Sequence, residues 1–258
     1  MDNIAVNKPA GIIDLRQMSN QRNERISVVI PAYNESGRIT HTLGAINNFL
    51  EDRFRNFEIV VVNDGSSDDT AGMVLKAEEV IPSIKYVEFK ENHGKGFAIR
   101  EGVSCSKGDM ILISDADLST PIEEMDKLVI SYDKGEYIVI GSRALAESDI
   151  VVRQPWWREF MGKTFNRFVR LALMKDFRDT QCGFKLFRGD VARDLFARGR
   201  VDGFAYDVEV LYLAKKGGYR IKEVPVKWIN APDSKVRPVR DSLGTAMDVL
   251  RIRFRNND

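Results

Sequence analysis

The sequence predicts an α/β fold around a largely parallel sheet, on three observations. From residue 26 onward, short apolar runs alternate with helical patterns, the rhythm of βαβ units. Most of the runs are continuous and β-branched, as strands covered on both faces require. Polar clusters directly follow three of them, and in open parallel sheets ligands bind beyond the carboxyl ends of the strands.

The first strand is expected over 26–30 and is followed by Pro31-Ala32-Tyr33-Asn34-Glu35 and a helix over 38–50. A second strand over 58–63 leads into Asp64-Gly65-Ser66-Ser67-Asp68-Asp69. Asp68 and Asp69 are read as caps of a helix over 70–80, because short acidic side chains accept the free N–H groups of a first turn. A third strand over 85–89 precedes Asn92-His93-Gly94-Lys95-Gly96 and a helix over 95–106. The fourth strand, 110–114, ends in Asp115-Ala116-Asp117; a helix over 122–132 and a fifth strand over 137–141 complete this half. Beyond Gly141 the rhythm changes to a basic, aromatic stretch over 156–174, a helix over 204–216, a strand pair around 219–228 and a basic helix over 243–255. Residues 1–25 read as a polar extension without the features of a signal peptide. The expected organisation is one domain over 26–258, in two halves, 26–141 and 142–258.

Composition narrows the function classes. The 258 residues are 43% apolar, enough for one sizeable core. A net charge of +1 gives no global attraction to nucleic acid or lipid, so such attraction must be local. The two cysteines, Cys105 and Cys182, form no CxxC pattern and read as ordinary core residues in a reducing compartment. The longest unbroken apolar runs, such as 59–62, fall far short of the roughly 18 residues of a membrane span.

Asp115 and Asp117 are the sharpest chemical signal. Two carboxylates at a strand terminus suit Mg2+ or Mn2+, which take oxygen ligands and leave positions for substrate phosphates. The same pattern alone also reads as a solvated turn ahead of Pro121. Asp64, placed before a flexible glycine, suits a base or ribose. Gly94 and Gly96 permit close backbone approach, and Lys95 can meet a phosphate near a helix N-terminus or stay solvated.

Taken in order, Ile26 to Glu35, Val61 to Thr70, Asn92 to Gly96 and Asp115 to Asp117 resemble the family 2 glycosyltransferases of GT-A fold. Gly141-Ser142-Arg143, Asp179 to Phe187, Phe204 to Glu209, Trp228 and Ser234-Lys235-Val236 resemble the dolichyl-phosphate β-glucosyltransferase branch. The resemblance implies an inverting hexosyltransferase using UDP-glucose and a polyprenyl phosphate, peripheral at the cytoplasmic face of a membrane. The same fold also serves other donors, such as GDP-mannose, and hydroxyl acceptors.

By that resemblance Pro31, Ala32, Tyr33, Glu35 and Asp64 hold the nucleotide, Lys95 and Lys235 approach it, and Asp115 and Asp117 hold the metal. Arg143 is expected to clamp the acceptor phosphate through its planar donors, with Lys185 and Arg237 beside it. Asp207 is either a base, a positioning residue or a carboxylate complementing a helix dipole. The aromatics and cations of 156–171 read either as an interfacial membrane helix or as core and subunit packing. Arg251, Arg253 and Arg255 read as a solvated basic tail or a weak lipid contact.

Overall fold

The computed structural model describes residues 24–152, 155–230 and 238–255. The first half runs β1 (Ile26–Ala32), α1 (Ile39–Glu51), β2 (Phe57–Asp64), α2 (Thr70–Val80), β3 (Ile84–Phe89), α3 (Lys95–Cys105) and β4 (Met110–Ile113). A 3-10 turn (Ile122–Glu124) leads into α4 (Met125–Asp133) and β5 (Ile138–Ser142). The second half adds β6 (Asp149–Val152), α5 (Trp156–Ala172), β7 (Lys185–Arg188) and α6 (Gly189–Arg198). It ends with α7 (Tyr206–Lys216), β8 (Ile221–Pro225), β9 (Lys227–Ile229) and α8 (Pro238–Arg255).

Seven strands form the main sheet in the order β3-β2-β1-β4-β7-β5-β8. Neighbours pair in parallel except β7, which runs antiparallel to both β4 and β5. Successive strand side chains point to opposite faces, which divides the apolar runs between two cores. Val28 and Ile30 of β1 join Ile59 and Val61 of β2 under α1, α2 and α4. Val29, Val60 and Val62 join α3, α6, α7 and α8 on the other face. Each fully buried Val or Ile contributes about 1.5–3 kcal/mol. Helix α3 lies close on the sheet because Gly102 has no side chain; a Cβ there would stand 2.5 Å from Val29 Cγ1.

Several expectations are corrected. The helix expected over 122–132 opens as a 3-10 turn and becomes α-helical only at Met125. The strand pair around 219–228 is not a hairpin: β8 joins β5 in the main sheet, while β9 pairs with β6 in a separate two-stranded sheet. Arg25, assigned to the extension, is already bonded beside the sheet, its carbonyl accepting from Asp109 N and Met110 N. No helix among the described residues is long and apolar enough to cross a membrane.

The chain steps outward from β1 through β2 to β3, then returns to the other side of β1 at β4. Such a switch point opens a crevice beyond the carboxyl ends of the two central strands. The loop after β1 and Asp115-Ala116-Asp117 after β4 therefore face one crevice.

Candidate active site

The loops after β1 and β2 are joined by side chains. Asn34 sits at φ 56°, a conformation that asparagine tolerates. Its side-chain oxygen accepts from Ser67 N at 2.7 Å, and its own N–H donates to Ser66 Oγ at 2.9 Å. Glu35 N donates to Thr70 Oγ1 at 2.8 Å. The Glu35 carboxylate pairs with Arg38, whose Nη2 lies 3.0 Å from Oε1. Tyr33 is exposed, Pro31 half-buried and Ala32 buried. Asp69 occupies the N-cap position of α2 without a side-chain cap bond. The carboxylate that takes the Thr70 N–H, at 3.1 Å, is that of Asp68.

Asp64 is 2% exposed and serves the chain itself. It accepts from His93 N at 2.9 Å, Gly94 N at 2.7 Å and Asn92 Nδ2 at 3.0 Å. The turn at 92–96 is thus tied to β2. Its glycines admit the chain rather than leaving room for a ligand. A Cβ on Gly96 would stand 2.4 Å from Val201 O, and Gly96 and Phe97 donate to Asp202 O at 2.7 and 3.2 Å. The N–H groups of Gly94, Gly96 and Phe97 are therefore already bonded within the chain.

At the end of β4, Ala116 is buried and its carbonyl accepts from Thr42 Oγ1 at 2.6 Å. The flanking aspartates stand toward the crevice. Asp117 Oδ1 accepts from Ser119 N at 2.9 Å, an arrangement helped by Leu118 at φ 47°. Asp115 Oδ1 lies 2.6 Å from Lys95 Nζ, yet outside hydrogen-bond angles, so it is buried without a hydrogen bond. Burial pushes the Asp115 carboxyl up, but Lys95, Lys185 and Arg143 outweigh it and hold it below its usual range. Burial likewise pulls Lys95 down, and Asp115, Asp207 and Asp117 more than restore it. Gly183 closes the other side: a Cβ there would lie 2.2 Å from Asp115 Oδ2.

These residues fit a divalent ion. Asp115 offers an oxygen that accepts no hydrogen bond and faces only the Lys95 ammonium, and Asp117 adds a second hard donor from the same turn. Among the described residues no group of three or more His, Cys, Asp or Glu side chains is placed to hold a metal. Two carboxylates leave the remaining positions to diphosphate oxygens and water, the usual arrangement for Mg2+ with nucleotides.

After β5, Arg143 grips Asp179 twice, Nε to Oδ2 at 2.7 Å and Nη2 to Oδ1 at 2.9 Å, and is 5.7 Å from the Trp228 ring. Burial raises the Asp179 carboxyl, but the guanidinium overrides it and keeps it low. Lys185, expected at the acceptor phosphate, is instead 1% exposed, with Nζ 2.6 Å from Asp207 Oδ1. Burial raises the Asp207 carboxyl against the pull of Lys185 and Lys95. The Tyr206 hydroxyl is buried, near Asp207 but outside hydrogen-bond geometry. Lys235 and Arg237 lie outside the described residues.

The sequence motifs contained Asn34, Asp179 and Gly183 but gave none of them a role of its own. Asn34 carried a signal, since asparagine after a strand is a favoured left-handed turn residue. Asp179 and Gly183 act only through partners distant in sequence.

The family described as Glycosyl transferase family 2 matches residues 27–196. A dolichyl-phosphate beta-glucosyltransferase of Dictyostelium discoideum is 38% identical over 245 residues, covering 90% of this chain and 75% of that protein. The human protein of the same name is 34% identical over 245 residues, covering 90% and 76%. Among solved structures, glucosyl-3-phosphoglycerate synthase from Mycobacterium tuberculosis, in complex with Mn2+, uridine-diphosphate and glucosyl-3-phosphoglycerate, aligns with TM-score 0.66 at 19% identity. That alignment covers 96% of this chain and 85% of the other. Mannosyl-3-phosphoglycerate synthase from Rubrobacter xylanophilus also gives 0.66, at 20% identity, covering 94% and 76%. These likenesses show the GT-A fold, and the sequence match over the switch-point motifs shows the rest: the chain belongs to glycosyltransferase family 2.

Proposed function

We propose that the chain transfers glucose from UDP-glucose to a polyprenyl phosphate, with inversion, at the cytoplasmic face of a membrane, using Mg2+ or Mn2+ held by Asp115 and Asp117. One observation carries the donor site. Among the described residues, the buried side-chain atoms without hydrogen bonds include Ser114 Oγ, Asp115 Oδ1, Thr180 Oγ1 and Tyr206 OH. All four belong to the segments that meet at the end of β4. Buried polar atoms are normally paired, so this concentration supports a polar ligand as the missing partner of the three hydroxyls, with only Lys95 beside Asp115 Oδ1. The relatives' names favour glucose and a lipid phosphate over GDP-mannose or a hydroxyl acceptor.

Bound there, the ion supplies Lewis-acid stabilisation of charge on the departing diphosphate. Lys95 adds a cation beside Asp115 and Asp117. Arg143, locked by Asp179, offers its remaining Nη1 donors to the acceptor phosphate. A phosphomonoester with a second pKa near 6 is mostly dianionic at pH 7 and has no proton to lose. One of its oxygens forms the new bond to the anomeric carbon as the bond to UDP breaks, and UDP leaves with the electron pair.

Two helices supply the membrane contact in this reading. On α5, Phe165 and Phe168 pack toward the core, whereas Trp157 and Phe160 are exposed, Phe160 by 66%. On α8, Val249 and Ile252 are buried, while Met247, Leu250 and Phe254 are exposed at spacings of three and four, which puts them on one helix face. Exposed Arg167, Arg170, Arg251 and Arg253 flank these side chains. Apolar faces edged with cations suit an anionic lipid surface.

The test is a product assay with a short polyprenyl phosphate, Mn2+ and either UDP-glucose or GDP-mannose. Lipid-linked glucose and free UDP are expected. Asp117→Ala, folded by circular dichroism, should lose more than about a hundredfold in rate, because even outer partners of metal ligands are worth 10–100-fold. No lipid product with any donor, or release of pyrophosphate, would contradict the assignment.

A further inference from the structure

We infer that Lys185 and Asp207 form a positioning pair that holds the Asp115 carboxylate in its metal-binding orientation, and that Asp207 is not a base toward the acceptor. This rests on Asp115 as a metal ligand. The Lys185 ammonium, 2.6 Å from Asp207 Oδ1, also donates to the Cys182 carbonyl. It thereby fixes the turn at 182–184. The next residue in that turn, Gly183, lies flat against Asp115, since a Cβ there would stand 2.2 Å from Oδ2 and 2.7 Å from both Cγ and Oδ1. Any shift of the turn moves the surface that backs the carboxylate.

The opposite side of Asp115 is tied to the segment just ahead of the helix that carries Asp207. Lys95, 2.6 Å from Asp115 Oδ1, opens α3. The first turn of α3 is held by Asp202 O, just ahead of α7, and Asp207 lies in the first turn of α7. Contacts thus close a ring from Asp115 through Lys95, α3, Asp202, α7, Asp207, Lys185 and Cys182 to Gly183, and back to Asp115. At 5% exposure and committed to an ammonium, Asp207 has little surface to offer an acceptor.

A buried pair broken on one side leaves an uncompensated charge, so Lys185→Met is a poor probe. Asp207→Asn removes the counter-charge but keeps the shape and one acceptor oxygen for Lys185, so its fold is checked by circular dichroism. Gly183→Ala leaves the ion pair intact and presses on Asp115 directly. The readouts are Mn2+ binding to the UDP-saturated protein, followed by electron paramagnetic resonance of the free ion, and the rate as a function of Mn2+.

Both variants are expected to bind Mn2+ about 10–100-fold more weakly, the range for outer partners of metal ligands. Their rates should recover toward wild type at saturating metal. Unchanged Mn2+ affinity with a rate lost at every metal concentration in Asp207→Asn would overturn the inference. Unchanged affinity in Gly183→Ala would overturn the backing role, and that variant decides alone if Asp207→Asn does not fold. A wild-type UDP complex that takes up no Mn2+ would instead remove the metal assignment itself, a result separate from either variant.

Discussion

Asp68 fastens two loops with one carboxylate. It accepts from Ser36 N and Thr70 N, each at 3.1 Å, and from the Thr70 hydroxyl. Burial opposes its charge, but the bonds from Thr70 and Ser36 win and lower its pKa from 3.8 to about 2. A carboxyl depressed on folding stabilises the fold fully above its unfolded pKa and loses that contribution as pH falls through the folded one. Thermal melts of wild type and Asp68→Asn should therefore differ most above pH 4 and converge toward pH 2. A constant difference over that window would contradict the role. The sequence showed that this acidic turn meets a helix, but not which aspartate bonds, because Ser36 enters from another loop. Glycines carried a similar ambiguity. Gly96 was legible as a point of close approach, whereas the approaching group, the 201–203 backbone, comes from a hundred residues later.

Helix α8 was legible by its arginines and misread in its environment. Arg255 is no solvated tail residue: it pairs with buried Glu209, and Arg253 donates to the Ala172 carbonyl. Those bonds orient the helix so that Val249 and Ile252 face the core and Met247, Leu250 and Phe254 face outward. A buried Leu or Phe side chain contributes about 1.5–3 kcal/mol. Leu250→Ser with Phe254→Ser should thus weaken cosedimentation with anionic phospholipid vesicles at least about tenfold, and added salt should weaken wild-type binding. Equal binding by both proteins would show that α8 does not meet the bilayer. Strands β8 and β9 were found but paired wrongly. They are adjacent in sequence, yet Pro225 ends β8 and the chain crosses directly to β6. Short strands β6 and β7 left too little periodicity to recognise, although β7 lies centrally between β4 and β5.

The whole molecule uses its sheet to bring distant segments to one crevice. The first half was readable because each parallel strand announces itself as an apolar run ending in polar residues. From β1 to β4, those residues fall where the switch point predicts. The second half was not, since β7 turns back antiparallel and delivers Asp179, Gly183 and Lys185 to the site through partners that local pattern does not reveal. What unites both halves is Asp115, bounded by Lys95 from the first and Gly183 from the second. Calorimetric titration of UDP into wild type and Asp117→Asn, each with and without Mn2+, tests that centre most directly. Tight binding only for wild type with Mn2+ is predicted. UDP binding indifferent to Mn2+, or undiminished in the variant, would contradict a metal bridge between these aspartates and the diphosphate.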